Sequence, residues 1–183
     1  AVGGARLKLK SAIYVNIGSD PAGKQILDKF KQEGVNTQYV VVNEGMESNL
    51  STVINFQKER TILVYHQSWK YKLPDLDKSR WIYFTSVSAS FTDSDLLHEL
   101  ENYLERTGGK LLYNPGTYQM QAGVKKSPRL LSLTELFIVN IEEGKRILYG
   151  KDEAVVMGEI KEKKKTQTIP LRKKPAAKSK AKK

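Results

Sequence analysis

The chain has 183 residues, 39% of them hydrophobic, and its net charge is +11. This length suffices for one well-buried core, with or without a small accessory sheet. No segment reaches the roughly 18 consecutive apolar residues of a membrane span, and the first residues lack the apolar centre of a signal peptide. We therefore expect a cytoplasmic protein without a membrane partner. The lack of cysteine excludes disulfides and thiolate chemistry, and two isolated histidines do not favour a metal site.

The positive charge is concentrated at the end of the chain. Residues 1–150 have a net charge of +3, whereas residues 151–183 hold 12 Lys+Arg and 4 Asp+Glu, a net charge of +8. The low complexity of this tail and its lack of an apolar face predict disorder. Residues 160–183 could contact nucleic-acid phosphates without sequence preference. A solvated tail, or a terminus foreign to the domain, explains the composition equally well.

The first part of the chain alternates between strand-like and helix-like segments. Residues 12–18 and 37–42 are apolar runs that predict two strands. Between them, Asp20 is placed to cap a helix, Pro21 occupies its first position, and Gly34 ends it. This alternation is typical of a parallel α/β sheet.

The next segment interrupts the alternation. Two β-rich runs, "SNLSTVINF" and "RTILVYH", are separated only by the polar residues 57–59. They predict a β-hairpin over about residues 48–66. Because an isolated hairpin is marginally stable in water, it must pack on a second copy of itself or cover a site. The hairpin is therefore a candidate lid and a candidate homodimer contact.

The rest of the body repeats the strand and helix scheme. Strands are predicted at residues 81–87, 110–116 and 136–140. A helix is predicted between the first two of these strands, because five apolar residues recur there at helical spacing: Leu96, Leu97, Leu100, Tyr103 and Leu104. Thr92 or Asp93 is placed to cap this helix, and Gly108 to end it.

An aromatic and basic run follows the predicted hairpin. Tyr65, Trp69 and Tyr71 lie beside Lys70 and Lys72. Such residues can form a surface for single-stranded nucleic acid. They are more often the packed underside and the solvated rim of a hairpin.

Polar residues follow two of the predicted strands, where ligands bind in parallel α/β sheets. Asn140 ends one strand and Glu143 falls in the first turn of the next helix. The amide could orient a phosphate or a water, and the carboxylate could hold Mg²⁺ through water. Spacing alone favours a helix cap, and the two interpretations are compatible. Asn114 in "NPG" has the same location, although the motif is also typical of a simple turn.

Taken together, these segments resemble the PfkB, or ribokinase-like, family of sugar and nucleoside kinases. The family's G-x-D-x-x-G turn and following G-V-x-T are matched by Gly18, Asp20, Gly23, Gly34, Val35 and Thr37. The predicted hairpin lies where the family has its substrate-covering lid, and "LLYNPG" resembles a strand end of the family. "VNIEEG" matches the N-x-x-E motif through Asn140 and Glu143.

The resemblance implies an α/β fold, part of a ribokinase-like three-layer sandwich with a mainly parallel central sheet and a β-hairpin lid. It implies ATP- and Mg²⁺-dependent phosphoryl transfer to a hydroxyl of a sugar or nucleoside. Asn140 and Glu143 would position phosphate and Mg²⁺, with Glu143 acting on the metal through water. The residues implied to contact the substrate lie on the lid and at one strand end: Asn49, Ser51, Asn55 and Thr85.

The sequence departs from the family pattern in several places. Lys8 stands where the family commonly has Gly, and Thr85 and Ser86 stand where some relatives place a substrate-binding acid. The G-A-G-D motif, with its catalytic Asp, is not present in the sequence. We therefore expect residues 1–150 to be a partial kinase domain, inactive alone, whose base and nucleotide site lie outside this sequence. The alternative is a non-enzymatic, degenerate kinase fold that binds RNA or another acidic partner through its tail.

Overall fold

The computed structural model describes residues 1–57, 59–123, 127–141, 143, 144 and 147. The strands are β1 (Ala12–Gly18), β2 (Asn36–Asn43), β3 (Leu50–Phe56), β4 (Glu59–Tyr65), β5 (Trp81–Phe84), β6 (Lys110–Tyr113) and β7 (Thr134–Phe137). The α-helices with defined bounds are α1 (Val2–Arg6), α2 (Pro21–Gln32), α3 (Leu96–Thr107), α4 (Thr117–Ala122) and α5 (Pro128–Ser132). The predicted disordered tail, residues 151–183, lies outside the described residues.

Strands β1 and β2 pair in parallel, and α2 connects them. Asp20 caps α2 by accepting a hydrogen bond from the N–H of Gly23 at 2.8 Å. Pro21 occupies the first helical position, and Gly34 follows the helix in a left-handed conformation with φ of +71°. The sequence signals for this strand-helix-strand unit are confirmed.

Strands β3 and β4 form the predicted antiparallel hairpin, hereafter the lid (residues 50–65). The turn is one residue tighter than the polar spacing indicated, because Phe56 pairs with Glu59 and β4 begins there. Gln57 adopts φ of +47°, as two-residue hairpin turns require. All residues of both strands are exposed, so the described residues of this chain cover neither face of the lid.

Strands β5, β6 and β7 form a parallel three-stranded sheet in that order. One face packs on α3 and α5 through a buried cluster: Leu100, Tyr103, Leu104, Leu111, Tyr113, Leu130, Leu131 and Ile147. Burial raises the pKa of Tyr113 to about 12. The opposite face exposes Trp81, Tyr83 and Leu136. Parallel sheets usually have both faces covered, whereas the described residues of this chain cover only one face of this sheet.

The start of α3 differs from the expectation. Thr92 and Asp93 end a 3₁₀-helix (Ala89–Asp93) and their side chains hydrogen-bond each other at 3.2 Å. The predicted caps are therefore wrong, and α3 begins only at Leu96. Gly108 ends the helix as predicted, with φ of +67°.

The segment between β4 and β5 is irregular but packed. Trp69 is only 3% exposed, and the hydroxyl of Tyr71 lies 2.9 Å from that of Ser88. Trp69 and Tyr71 are thus part of the packing of this segment, whereas Tyr65 is 48% exposed on the lid. Within the described part of the chain, no helix is long and apolar enough to span a membrane.

Candidate substrate site and lid

Asn114 joins the carboxyl ends of the three parallel strands. Its backbone N–H donates to the carbonyl oxygen of Phe84 at 2.9 Å, and its Nδ2 donates to that of Ile138 at 2.7 Å. The hydroxyl of Tyr83 donates to its Oδ1 at 3.3 Å. Asn114 therefore lies at the strand end, as predicted, and its side chain holds neighbouring strand ends in place.

Gln119 links the "NPG" loop to the end of β5. Its Oε1 accepts from the backbone N–H of Gly116 at 2.7 Å, and its Nε2 donates to the carbonyl oxygen of Thr85 at 3.2 Å. A Cβ on Gly116 would lie 2.4 Å from Oγ of Ser86, so only glycine fits between these strand ends. The sequence interpretation missed Gln119, although a Gln three residues after a helix N-cap position is a capping signal.

Asn140 and Glu143 form a reciprocal cap after β7. The N–H of Asn140 donates to Glu143 Oε2 at 2.9 Å, and the N–H of Glu143 donates to Asn140 Oδ1 at 2.8 Å. Among the described residues, Oε1 of Glu143 has no hydrogen-bond partner, and no cluster of three or more Asp, Glu or His could cage a metal. The donor set fits a water-mediated contact to Mg²⁺ and not direct coordination by several carboxylates.

The two faces of the lid differ in polarity. The first face, which we call the polar lid face, carries Ser51 opposite Val64 and Asn55 opposite Arg60, with Val53 and Ile62 between these pairs. The second, which we call the apolar lid face, also carries Thr52, Thr61 and Glu59, but most of its side chains are exposed hydrophobic ones: Leu50, Ile54, Phe56, Leu63 and Tyr65. The predicted substrate residues Ser51 and Asn55 thus share one face.

The base of the lid lies beside the strand-end loop. Asn49 closes the base, because its Oδ1 accepts from the N–H of Gln67 at 2.8 Å. The ring of His66 meets that of Tyr118 on α4 edge-on, with centroids 5.4 Å apart. The structure therefore brings the lid base next to the loop that Gln119 ties to Thr85, while Ser51 and Asn55 remain exposed on the lid.

The G-x-D-x-x-G turn between β1 and α2 contacts the residue two positions before the lid. Ser48 accepts from the N–H of Gly18 at 3.0 Å and donates to Asp20 Oδ1 at 2.6 Å. This hydroxyl, with the N–H of Gly23, holds the pKa of Asp20 below its usual value. The sequence interpretation did not single out Ser48.

The family is settled by comparison with known proteins. The model of the pfkB family of carbohydrate kinases matches residues 1–171. The chain belongs to this family. An uncharacterized sugar kinase from Archaeoglobus fulgidus is 26% identical over 148 residues, which are 78% of this chain and 58% of that protein.

Solved structures show the same ribokinase-like fold. The fructokinase from Xylella fastidiosa is 21% identical, with a TM-score of 0.69 over 88% of this chain and 55% of its own. An uncharacterized sugar kinase from Pyrococcus horikoshii is 19% identical, with a TM-score of 0.67 over 85% of this chain and 54% of its own. This pfkB-family chain thus spans a little over half the length of these relatives.

Proposed function

We propose that this chain is the lid-bearing part of an ATP-dependent carbohydrate kinase, which transfers the γ-phosphoryl group to a hydroxyl of a sugar or nucleoside. The match of the pfkB family model over residues 1–171 carries this proposal. The Xylella fastidiosa fructokinase, also solved with bound ATP, supports ATP as the donor; that structure is 21% identical, with a TM-score of 0.64.

The polar lid face would contact the sugar. Ser51 and Asn55 are exposed on it, and Asn49 lies at its base. Hydroxyl and amide groups can both donate to and accept from sugar hydroxyls. Closure of the lid would bring these groups onto a sugar at the strand ends, near Thr85, and exclude water from the transferred group.

Asn140 and Glu143 would act on the phosphate side. Mg²⁺-ATP supplies the transferred γ-phosphoryl group when bound. The reciprocal cap fixes both side chains at the strand end, so Glu143 Oε1 can accept a hydrogen bond from a metal-bound water. Because phosphoryl transfer depends mainly on positioning and electrostatics, this fixed geometry is the contribution of the two residues.

We also propose that the 183-residue chain has no kinase activity alone. The family's G-A-G-D motif supplies the catalytic base, and the sequence does not contain it. The proposed roles of the site residues are binding and positioning, and none of these roles is to take the proton from the attacking hydroxyl. These residues are Ser51, Asn55, Asn140 and Glu143.

A second copy would cover the apolar lid face. Leu50, Phe56 and Leu63 are 59%, 71% and 58% exposed, an unusual exposure for large apolar side chains that share a face. Dimerisation and sugar binding are compatible, because the residues proposed to contact the sugar lie on the opposite face of the lid. A homodimer through the lid would therefore leave the polar lid face free.

A chimaera tests the kinase proposal. Residues 1–147 replace the matching part of the Archaeoglobus fulgidus sugar kinase, and ADP formation is measured with ATP, Mg²⁺ and a panel of sugars and nucleosides. We expect turnover by the chimaera and none by the isolated chain. Glu143→Gln, which keeps the capping oxygen and removes the charge, should lower turnover about tenfold or more, as outer-shell changes at metal sites do. A folded chimaera without turnover on any substrate contradicts the kinase proposal, and turnover by the isolated chain contradicts its inactivity.

A further inference from the structure

We propose that Ser48 and Asp20 are the positioning pair that mounts the lid on the body of the protein. The pair would fix one root of the hairpin to the turn between β1 and α2 and thereby set the direction in which the lid points. That the hairpin acts as a lid rests on the proposed function, whereas its attachment through Ser48 and Asp20 is a property of the fold.

The side chain of Ser48 is built into the turn. Ser48 is 4% exposed, and its hydroxyl both donates to Asp20 Oδ1 at 2.6 Å and accepts from Gly18 N–H at 3.0 Å. The first lid residue, Leu50, is two positions later. Ser48 is therefore the last buried anchor before a strand whose residues are all exposed.

The backbone of residues 46–48, which leads into the lid, packs tightly against the turn between β1 and α2. A Cβ on Gly18 would lie 2.2 Å from the carbonyl oxygen of Met46 and 2.7 Å from the nitrogen of Ser48. A Cβ on Gly23 would lie 2.1 Å from the carbonyl oxygen of Gly18 and 2.8 Å from Oγ of Ser48. Both glycines thus allow the chain that leads into the lid to lie directly against the turn.

The charge of Asp20 strengthens the anchor. One carboxylate oxygen accepts from both the hydroxyl of Ser48 and the N–H of Gly23. Hydrogen bonds to an ionised acceptor are shorter and stronger than neutral ones. The same oxygen that caps α2 therefore holds the root of the lid, which couples the lid to the body of the first β-α-β unit.

The second root is held further from the lid. The hydroxyl of Ser90 donates to the carbonyl oxygen of Trp69 at 2.9 Å, and Trp69 is buried. Between this point and the end of β4, three exposed contacts are described: the Asn49–Gln67 bond, the edge contact of His66, and a bond from Nε2 of Gln67 to the hydroxyl of Tyr65 at 3.1 Å. The lid would therefore pivot at residues 49 and 66–68. Its two buried attachment points are Ser48 and Trp69, and Ser48 is closer to the lid in the sequence.

Spin-label distances in the full 183-residue chain test the mount. The chain has no cysteine, so Glu59→Cys on the lid and Lys31→Cys on α2 give two unique labels at exposed positions. We expect Ser48→Ala to broaden the distance distribution between these labels. The control Ser132→Ala, which removes a hydroxyl bonded to the carbonyl oxygen of Arg129 at 2.7 Å, should leave the distribution unchanged.

A second variant tests the same proposal if Ser48→Ala does not unfold cooperatively on heating and is therefore not properly folded. Asp20→Asn keeps an oxygen to cap α2 but removes the charge that strengthens the bond from Ser48, and it should also broaden the distribution. If Ser48→Ala folds and its distance distribution is unchanged, the proposed role of the pair is wrong. If Ser48→Ala does not fold, an unchanged distribution in Asp20→Asn has the same meaning. The measurement needs no sugar or nucleotide, so the kinase proposal can fail without affecting it.

Discussion

Asn140 and Glu143 hold each other in place: each side chain accepts a hydrogen bond from the backbone N–H of the other, at 2.8 and 2.9 Å. The N-x-x-E motif is therefore a helix cap in this structure. A cap uses one oxygen of each side chain, so the motif can also serve a ligand through Glu143 Oε1. The two interpretations of the sequence are physically compatible, as the spacing indicated.

The cap separates structural from chemical effects of substitution. Asn140→Ala should cost about 0.5–2 kcal/mol of unfolding free energy, because it leaves a helix-terminal N–H without its acceptor. Glu143→Gln retains an acceptor oxygen and should cost less than about 0.5 kcal/mol. Urea unfolding monitored by circular dichroism measures both. Equal losses in the two variants would show that the charge of Glu143, and not its hydrogen bond, stabilises the fold.

Lys8 is a predicted site of stabilisation. It adopts φ of +62°, a left-handed conformation, where the family commonly has Gly. Because this conformation costs a non-glycine residue about 1–2 kcal/mol, Lys8→Gly should raise the unfolding free energy by about 0.5–1 kcal/mol after the entropy of the unfolded chain is counted. Lys10→Gly, the same change at a residue without positive φ, should lower it. Destabilisation by Lys8→Gly would contradict this account of the strain.

Glu33 should make the protein sensitive to acid. Hydrogen bonds from Arg6 and Lys29 lower the pKa of Glu33 from 4.5 to about 2. A carboxyl with a lowered pKa stabilises the fold above the unfolded value, so this contribution should disappear as the pH falls from about 4.5 to about 2. Melting temperatures of Glu33→Gln should therefore fall less steeply over this interval than those of the parent. Parallel pH profiles would show that the pair with Arg6 does not contribute.

The lid provides a matched test of dimerisation. Ile54 lies on the apolar lid face and Val53 on the polar one, and the two are 51% and 50% exposed. Ile54→Asp should convert a dimer to a monomer because it buries an unpaired charge at the proposed contact. Val53→Asp should leave the dimer intact. Sedimentation velocity measures both, and a monomeric parent, or equal effects of the two variants, would contradict the lid contact.

The sequence predicted those features whose signals are local. Asp20, Pro21 and Gly34 marked the bounds of α2, because caps, proline and glycine act within one helical turn. The hairpin was predicted because two β-rich runs had no room for a helix between them. At α3 the same reasoning placed the cap at Thr92 or Asp93, where a 3₁₀-helix intervenes. Several polar residues in series offered more than one plausible cap.

The missed contacts that join separate parts of the site span long sequence separations. Ser48 bonds to Asp20, 28 positions earlier, and Gln119 reaches Thr85, 34 positions earlier. Periodicity cannot reveal such pairs, because the fold must first bring the segments together. The division of the lid into a polar and an apolar face was readable in principle, since residues two apart share a face once the register is known.

The most direct test of the central claim is sugar binding by the polar lid face. Saturation-transfer NMR of the 183-residue chain, with D-ribose, D-fructose and adenosine as separate probes, detects weak binding without catalysis. We expect a saturable signal for at least one probe, which Ser51→Ala/Asn55→Ala reduces and Thr52→Ala/Thr61→Ala, on the apolar lid face, leaves intact. No saturable signal from any probe, or equal signals from the two double variants, would contradict the proposed role of the lid.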